Sequence, residues 1–553
     1  MLEDARHIPG GSTLAADVCI AGGGAAGITL ALALMDSGLD VVLLAGGGEK
    51  SDKAAQALYE GEVADAGLHP TPDRYRVRGL GGSTKLWGGR CVPFDPIDFE
   101  RRDYIAHSGW PIGPEALRPY YPLANLLCDA GAFAYTAAEA FPEAPPPMLG
   151  GFESADFSTD TLERFSLPTD FARRYRPELE RGPVRVLLNA SLCSLGTSPD
   201  GRHAGPAQIR TLGGNAFSVE ARTYVMAAGG LESARLLLAS PGASGRGLGN
   251  AHDVVGRYYM CHLAGTIGTV DLSGAASAWH GYDLSPEGVY CRRRIALRPG
   301  AQRALRAGNF VARLHHPRIP DPGHGIGILS ALYLARPIIP YEYGKRLYGD
   351  EPFSTRLALA HVRNLLTDAP GTAAFLWNWL RRRTLARRKF PSVIVRPRNL
   401  RFSLDFHAEQ EPDPESRITL GNETDALGVR RLRVEWRYSR QDVQTVSTAL
   451  AAFAQALQEN NTGCFEYEPE RVEEEMTRYG AYGGHHIGTA RMGTDPRSSV
   501  VDADCRLHEA SNVFVAGAAV FPTSSQANPT LTVVALALRL ADHLKRELAG
   551  GAT

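Results

Sequence analysis

Cysteine is scarce and scattered. The 553 residues include eight, at positions 19, 91, 128, 193, 261, 291, 464 and 505, and none forms a C-x-x-C pair. This weighs against a disulfide framework or a thiolate metal site and reads as small buried thiols in a reducing compartment. Histidines offer no metal site either: the closest pairs are the neighbours His315-His316 and His485-His486, and adjacent residues are poor joint ligands. Excess charge is also missing. Lys and Arg number 59 against 60 Asp and Glu, a net charge of −1, which argues against a general nucleic-acid or membrane-surface role. No apolar run reaches the length of a membrane span, and Met1 to His7 contain neither a basic nor an apolar leader segment. The chain is therefore expected to be soluble and cytoplasmic. No G-x-S-x-G nucleophile elbow occurs.

Glycine (59) and proline (36) are abundant, as in a loop-rich α/β enzyme, and the length calls for two domains or interleaved lobes. The most informative stretch is Asp17-Val18-Cys19-Ile20-Ala21-Gly22-Gly23-Gly24-Ala25-Ala26-Gly27. A short apolar strand leads into Gly22, Gly24 and Gly27 in G-x-G-x-x-G order, and Ile28 to Leu34 continues as an apolar helix. Such a unit binds a dinucleotide pyrophosphate: Gly22 permits the turn, Gly24 admits the phosphates, Gly27 lets helix and strand pack, and the helix amides face the anion. Asp40 to Leu44 is the next buried strand, whose end should carry an acid for the adenosine ribose. That position is Ala45. The ribose is then held by backbone and water, by Glu49 reaching back, or more weakly than usual.

Farther on, Arg78 to Arg90 holds Gly79, Gly81, Gly82, Gly88 and Gly89 around Ser83 and Trp87, a loop whose backbone passes close to something flat or bulky. The Pro-rich stretch at 142–147 reads as a linker or lid. Arg185 to Ala190 is a strand returning to the nucleotide-binding sheet. Tyr224 to Gly230 is a strand ending in small residues, followed by a helix from Glu232 to Leu238, so Ala228 and Gly229 are expected beside the ligand. From about 265 to 480 short strand-like runs, such as 417–420 and 432–436, predict an antiparallel sheet lining a substrate cavity, and Val446, Leu450, Phe453 and Leu457 predict a helix over 442–458. Residues 374–389 place Phe375, Trp377 and Trp379 next to a run of arginines. This is either a helix with its apolar side packed and its arginines solvated, or a contact for a redox partner or a membrane surface.

The last quarter contains Gly483-Gly484-His485-His486-Ile487-Gly488-Thr489, the strand-like Asn512 to Ala518, and Asn528-Pro529-Thr530-Leu531-Thr532 before an apolar helix. With the G-x-G-x-x-G turn and the G-G-S-T-x-x-W-G-G loop, these segments resemble the glucose–methanol–choline oxidoreductases, closest to their bacterial sugar and polyol dehydrogenase branch. The resemblance covers both ends of the chain and is weakest from about 270 to 400. It implies an α/β plus α+β architecture. A discontinuous Rossmann-like FAD-binding domain (12–105, 183–264 and 481–553) would be interleaved with a substrate-binding or lid domain on an antiparallel sheet (106–182 and 265–480). It also implies FAD contacts at Gly22, Gly24, Ala26, Gly27, Glu49, Gly82, Ser83, Trp87, Gly88, Leu192, Ala228, Gly229, Gly517, Ala518, Asn528, Pro529 and Thr530. Some relatives tether FAD through a His just before the Trp. Here that position is Leu86, preceded by Lys85, so the resemblance implies non-covalent FAD.

Alcohol oxidation requires a base of moderate pKa beside the hydroxyl and a second polar group to hold its oxygen. By the family's spacing the base is His485, four residues before Thr489, and the partner is Asn528. An extended backbone points His485 and His486 opposite ways, and His486 is the alternative base. His107, His262 and His407 read as packing or substrate-lobe residues. The expected activity is FAD-dependent oxidation of a sugar, aminosugar, cyclitol or related polyol, with oxygen or another redox acceptor. The rival readings are a flavoprotein of the same fold without net alcohol oxidation, such as a lyase or flavin binder, and a nicotinamide-dependent dehydrogenase.

Overall fold

The computed structural model describes residues 1–143, 145–166, 169–339, 344, 347, 353–397, 399–478 and 480–550. Strand β2 (Thr13–Ala21) begins half-exposed and ends in four consecutive buried residues, Val18 to Ala21, the signature of a strand covered on both faces. Strand β3 (Val41–Leu44) is buried throughout. With β1 (Leu2–Asp4), β4 (Arg185–Leu188), β5 (Ser191–Thr197), β6 (Ala204–Arg210) and β7 (Ala216–Met226), they form a sheet of order β1-β4-β3-β2-β7-β6-β5, and Val513–Val515 pairs with β7. The pairings from β1 through β7, and that of Val513–Val515, are parallel. β5 and β6 add an antiparallel edge. The chain leaves β2 for β3 on one side, while β7 lies on the other. The carboxyl end of β2 is thus a topological switch point, where open α/β sheets bind ligands.

A second sheet is antiparallel. It contains β8 (Met260–Asp271), β9 (Ile295–Leu297), β10 (Phe310–His315), β11 (Arg401–Ala408) and β12 (Cys464–Glu466) in the order β12-β8-β11-β10-β9, ending on Phe157–Ser158. Strand β13 (Tyr482–Ile487) pairs with the start of β8. The strand carrying the histidine pair therefore hydrogen-bonds to the antiparallel sheet, not to the parallel one. One continuous buried apolar cluster runs from Val18 and Leu43 to Phe402 and Phe406, so the two sheets share a core.

Helix α1 (Ala25–Leu34) follows β2, and α2 (Gly230–Ala239) follows β7. Helices α3 (Thr355–Thr367) and α4 (Ala369–Trp379) lie between β10 and β11. Helix α5 (Arg440–Glu459) buries Val446, Leu450, Phe453 and Leu457, and Ser439 and Asp442 cap it reciprocally. Helix α6 (Thr530–Gly550) packs on α1.

Three local expectations change. The strands around 417–420 and 432–436 do pair antiparallel, as Arg417–Thr424 and Arg430–Glu435, but in a separate sheet with Gly61–Val63. Ile418, Leu432 and Val434 are buried there, and neither strand lines the cavity described below. The Pro-rich stretch is held down: Arg293 donates to the Pro146 carbonyl and Gly150 N–H to that of Ser277. In the aromatic and arginine-rich segment, Leu376 and Trp377 are exposed rather than packed.

Candidate active site

A single long cavity opens at the carboxyl ends of β2, β3 and β7 and extends to the seam between the two sheets. Its lining includes Gly22, Gly24 and Ala26, then Gly46, Leu192, Ala228 and Gly229. Toward the seam it includes Gly82, Ser83, Trp87, Gly88, Gly517, Ala518, His485, Asn528, Pro529 and Thr530. Residues spread over five hundred positions of sequence are thus brought together. Two expected contacts are not among them, Gly27 and Glu49.

The glycine turn divides its labour as the spacing predicts. Gly22 has φ +125°, and a Cβ there would lie 2.3 Å from the Ala227 carbonyl oxygen. Gly27 packs instead of lining the cavity: its Cβ would lie 1.8 Å from the Gly22 oxygen. Gly24 differs, since a Cβ there would meet nothing within 4 Å and would project into the cavity. Helix α1 starts at Ala25 without a side-chain cap, and α2 starts after Gly229 in the same way. The orphan amides and positive dipole ends of two helices therefore converge on the cavity, a ready site for an anion.

At the end of β3, Ala45 has no group to offer a ribose, and Glu49 does not compensate. Its carboxylate forms an ion pair with Arg176 on the outside of the molecule, because the helix Phe171–Arg181 brings that guanidinium beside it. What occupies the region is Arg78. Its Nε donates to the Gly46 carbonyl (3.2 Å), and its Nη atoms donate to Ser191 Oγ and Glu232 Oε1 (both 3.1 Å). Glu232 lines the cavity and is held by Arg78, Arg235 and, at 3.8 Å, Arg76. Burial pushes its carboxyl pKa up, but Arg235, Arg78 and Arg76 outweigh burial and hold it below the usual carboxylate range.

Along the middle of the cavity, Trp87 is anchored by its Nε1, which donates to the Thr169 carbonyl (2.9 Å), and its edge meets Phe171. Gly88, Gly229 and Gly517, like Gly24, have open space where a Cβ would stand. A groove with four such positions admits a flat ligand against backbone. Leu86 lines it, and Lys85 turns away to the Glu49 carbonyl (2.5 Å).

The reacting end is built from three strands. His262 on β8, His407 on β11 and His485 on β13 meet at the seam. His485 Nδ1 lies 2.8 Å from His262 Nδ1, and its Nε2 lies 3.0 Å from Asn528 Nδ2. His407 lines the cavity and stacks on His262 at 5.6 Å between ring centres. His486 also lines the cavity, with its ring against Tyr259 and His69 and no hydrogen bond to Asn528 or His262. The network admits one proton arrangement that leaves His485 Nε2 basic: Asn528 Nδ2–H donates to Nε2, and Nδ1–H donates to His262. Burial, with His262 and the Arg90 guanidinium adding to it, keeps the His485 pKa well below its ordinary value. Burial likewise lowers His262 to about 4, against the nearby carbonyls of Ser524, Ser525 and Ala527. Both rings are neutral near pH 7. Arg90 lines the cavity, with Nε 3.5 Å from Glu163 Oε2.

Sequence reasoning read His262 as a packing or substrate-lobe residue and gave no role to Arg78, Glu232 or Arg90. For His262 one signal existed: a lone histidine inside the apolar run Met260-Cys261-His262-Leu263-Ala264 needs a buried partner.

The fold and the cavity combine a glycine turn of the dinucleotide-binding kind with a neutral buried histidine, His485, beside the amide of Asn528. Residues 412–537 match the family model for the C-terminal domain of the GMC oxidoreductases. The chain is 25% identical to the fructose dehydrogenase large subunit of Gluconobacter japonicus, covering 98% of this chain and 99% of that one. It is 26% identical to 6'''-hydroxyparomomycin C oxidase of Streptomyces lividus, over 98% and 94%. Among solved structures, pyridoxine 4-oxidase from Mesorbium loti superposes with a TM-score of 0.54 at 19% identity, over 95% of this chain and 98% of that one. The chain is thus similar to GMC oxidoreductases, through the matched segment 412–537 and, at 25–26% identity, along nearly its whole length.

Proposed function

We propose that this chain oxidises an alcohol group of a sugar, aminosugar, cyclitol or related polyol to the carbonyl, with non-covalently bound FAD. The observation that carries the reading is the His485–Asn528 pair, Nε2 to Nδ2 at 3.0 Å, in the same cavity as the G-x-G-x-x-G turn and the Trp87 loop. The relatives named above support the substrate class, since their names describe fructose and an aminoglycoside. FAD, when bound, supplies the hydride acceptor.

The chain's own residues do the rest. The amides of α1 and α2 bind the pyrophosphate, with Gly24 leaving room for it. Glu232, which lines the cavity, would take the place of Glu49 as the acid for the adenosine ribose. Gly82, Ser83, Trp87, Gly88, Gly517 and Ala518 hold the ring system. The residue just before Trp87 is Leu86, not a histidine, which supports non-covalent binding. The substrate hydroxyl displaces the direct hydrogen bond between Asn528 and His485. Asn528 Nδ2–H donates to its oxygen, and His485 Nε2 takes its proton, so the carbinol C–H is free to depart. The electron acceptor is oxygen or another redox partner.

Purified protein should be yellow, and an anaerobic screen of polyols and aminosugars should bleach it. His485→Ala should keep the flavin and lose about 10²- to 10⁴-fold in the rate of bleaching, the usual worth of a positioned base. Protein with no flavin and no affinity for it would refute the assignment, and an unimpaired His485→Ala would refute the base.

A further inference from the structure

Helices α3 and α4 carry apolar side chains on the wrong side. The inner face of α3 is accounted for: His361 is buried, stacks on Tyr333 at 4.2 Å and shares a hydrogen bond with Ser330 (3.0 Å), while Leu357 and Ala358 pack on the cluster of Ile319, Leu329 and Tyr333. The outer face is apolar too. Leu359, Val362 and Leu366, at helical spacing, are 70%, 41% and 73% exposed. On α4 and the turn beyond it, Leu376, Trp377 and Leu380 repeat the pattern at 53%, 66% and 41%, and Leu385 follows at 72%. Rows of exposed leucine with a tryptophan mark an interaction surface.

The charge around these rows is of one sign. From 355 to 389 the chain has eight basic residues, Arg356, Arg363, Arg381, Arg382, Arg383, Arg387, Arg388 and Lys389, and one acid, Asp368. A chain with net charge −1 concentrates +7 here. A second copy of this chain is a poor occupant, because it would set eight cations against eight. A specific protein site concentrates its energy in a few central anchors ringed by polar contacts. Here the apolar side chains run in rows along two helices with arginines beside them, the pattern of a helix lying in a lipid interface.

We propose that α3, α4 and the arginine run that follows dock this protein on an anionic bilayer surface, with Leu359, Leu366, Leu376 and Trp377 inserted and the arginines at the headgroups. The surface is joined to the rim of the cavity. Arg383 donates to the carbonyls of Phe390 and Pro391, Arg388 holds Asp129, and Pro391 and Ser392 line the cavity. Docking therefore sets the cavity's rim beside the membrane. This inference does not depend on the reaction proposed above.

The test uses the full chain and phosphatidylcholine vesicles with and without phosphatidylglycerol, at low and high salt. The expected result is co-sedimentation with the anionic vesicles only, lost at high salt, with a blue shift in tryptophan emission that Trp377→Phe diminishes. Each basic residue near an anionic surface is worth about fivefold in binding, so the triple variant Arg363→Gln, Arg381→Gln, Arg387→Gln should bind about a hundredfold more weakly. Leu376→Ser with Trp377→Ser should bind more weakly than the parent even at low salt. These side chains are exposed, so melting temperature should not move. Absence of binding to anionic vesicles at low salt would overturn the proposal, as would binding that neither variant weakens. Salt-sensitive binding to polyglutamate without vesicle binding would overturn it in favour of an acidic protein partner.

Discussion

Replacing His262 separates a positioning role from a packing role. The ring is fully buried and stands nearly perpendicular to His485, at 87° and 4.8 Å between centres. The 2.8 Å contact joins two Nδ1 atoms, and one proton serves both. His485 receives a hydroxyl proton on Nε2 only when its own Nδ1 carries that shared proton and His262 accepts it. In His262→Phe the acceptor is gone while the aromatic volume stays. The Nδ1–H of His485 is then a buried donor without a partner, which costs about 1–3 kcal/mol, or the ring adopts the other tautomer and Nε2 no longer accepts. Either way the loss falls on the active form of the base, and 1–3 kcal/mol corresponds to a rate lower by about fivefold to a hundredfold. His262→Asn should recover most of it, because the Asn side-chain oxygen sits about as far along the side chain as Nδ1 and accepts the same hydrogen bond.

The assay is anaerobic rapid mixing with a reducing alcohol, following loss of flavin absorbance against alcohol concentration. The limiting rate should fall in His262→Phe, while the concentration for half-saturation and the flavin content stay close to the parent's. A limiting rate equal to the parent's would refute the argument. So would an Asn variant as impaired as the Phe variant, which would leave His262 as packing alone.

Three further outcomes follow from the geometry. Gly24→Leu should fold with an unchanged melting temperature but lose flavin, because its side chain enters open cavity, whereas Gly27→Ala should unfold more readily, because its Cβ would lie 1.8 Å from a carbonyl oxygen; flavin content and thermal melts distinguish the two. Glu232→Gln should destabilise the fold by about 3–5 kcal/mol, since Arg76, Arg78 and Arg235 would be left without their shared carboxylate, and denaturant titration of the flavin-free protein measures it. Acid should destabilise the protein between pH 6.5 and about 4. Burial lowers His69 and His262 to about 4 and holds His280, His407, His485 and His486 well below 6.5, so on acidification the unfolded chain binds protons that the folded chain refuses. Asp98 and Asp442, raised to about 8 by burial, act in the opposite direction. His324, lowered to about 4, and His107, His361 and His508, also lowered, add to these histidines, while Asp283 joins the raised carboxyls; ten histidines against three carboxyls leave a net loss, at about 1.4 kcal/mol per pH unit for each uncompensated group. Melting temperatures that stay flat from pH 7 to pH 5 would contradict it.

What the chain disclosed before its structure was known was local. The turn from Val18 to Gly27 is legible because strand, glycines and helix are contiguous and each glycine has its own steric task. Helix α5 is legible because Val446, Leu450, Phe453 and Leu457 keep helical spacing over a capped segment. The ribose end was not. Expecting Glu49 to reach back was an argument from nearness in sequence, but Arg176, 127 residues away, claims that carboxylate, and Arg78 and Glu232 meet across 154 residues. The contact of His262 with His485 was hidden for the same reason, across 223 residues. The aromatic and arginine-rich run of α4 was visible in the sequence, but which of its two readings holds was not, and the outer row of α3 was not seen. Both helices are apolar on more than one side, so spacing identifies the helix without saying which face is covered.

The seam between the sheets explains why His485 and Asn528 could be singled out as candidates while the groups around them could not. His485 and His262 both lie on the antiparallel sheet, on strands β13 and β8 that pair with each other. Asn528 precedes α6, the helix that packs on α1 beside the glycine turn. The hydrogen bond from Asn528 to His485 therefore crosses from the parallel sheet's layer to the other sheet, and in the proposed reaction the amide and the base are positioned by different elements. A sequence places each of these residues on its own element. Their meeting depends on how the two sheets pack, through a core that runs without a break from Val18 to Phe406. A core substitution at that seam, far from any ligand contact, would thus change the distance between base and anchor, and positioned catalysis is steeply sensitive to displacements of an ångström.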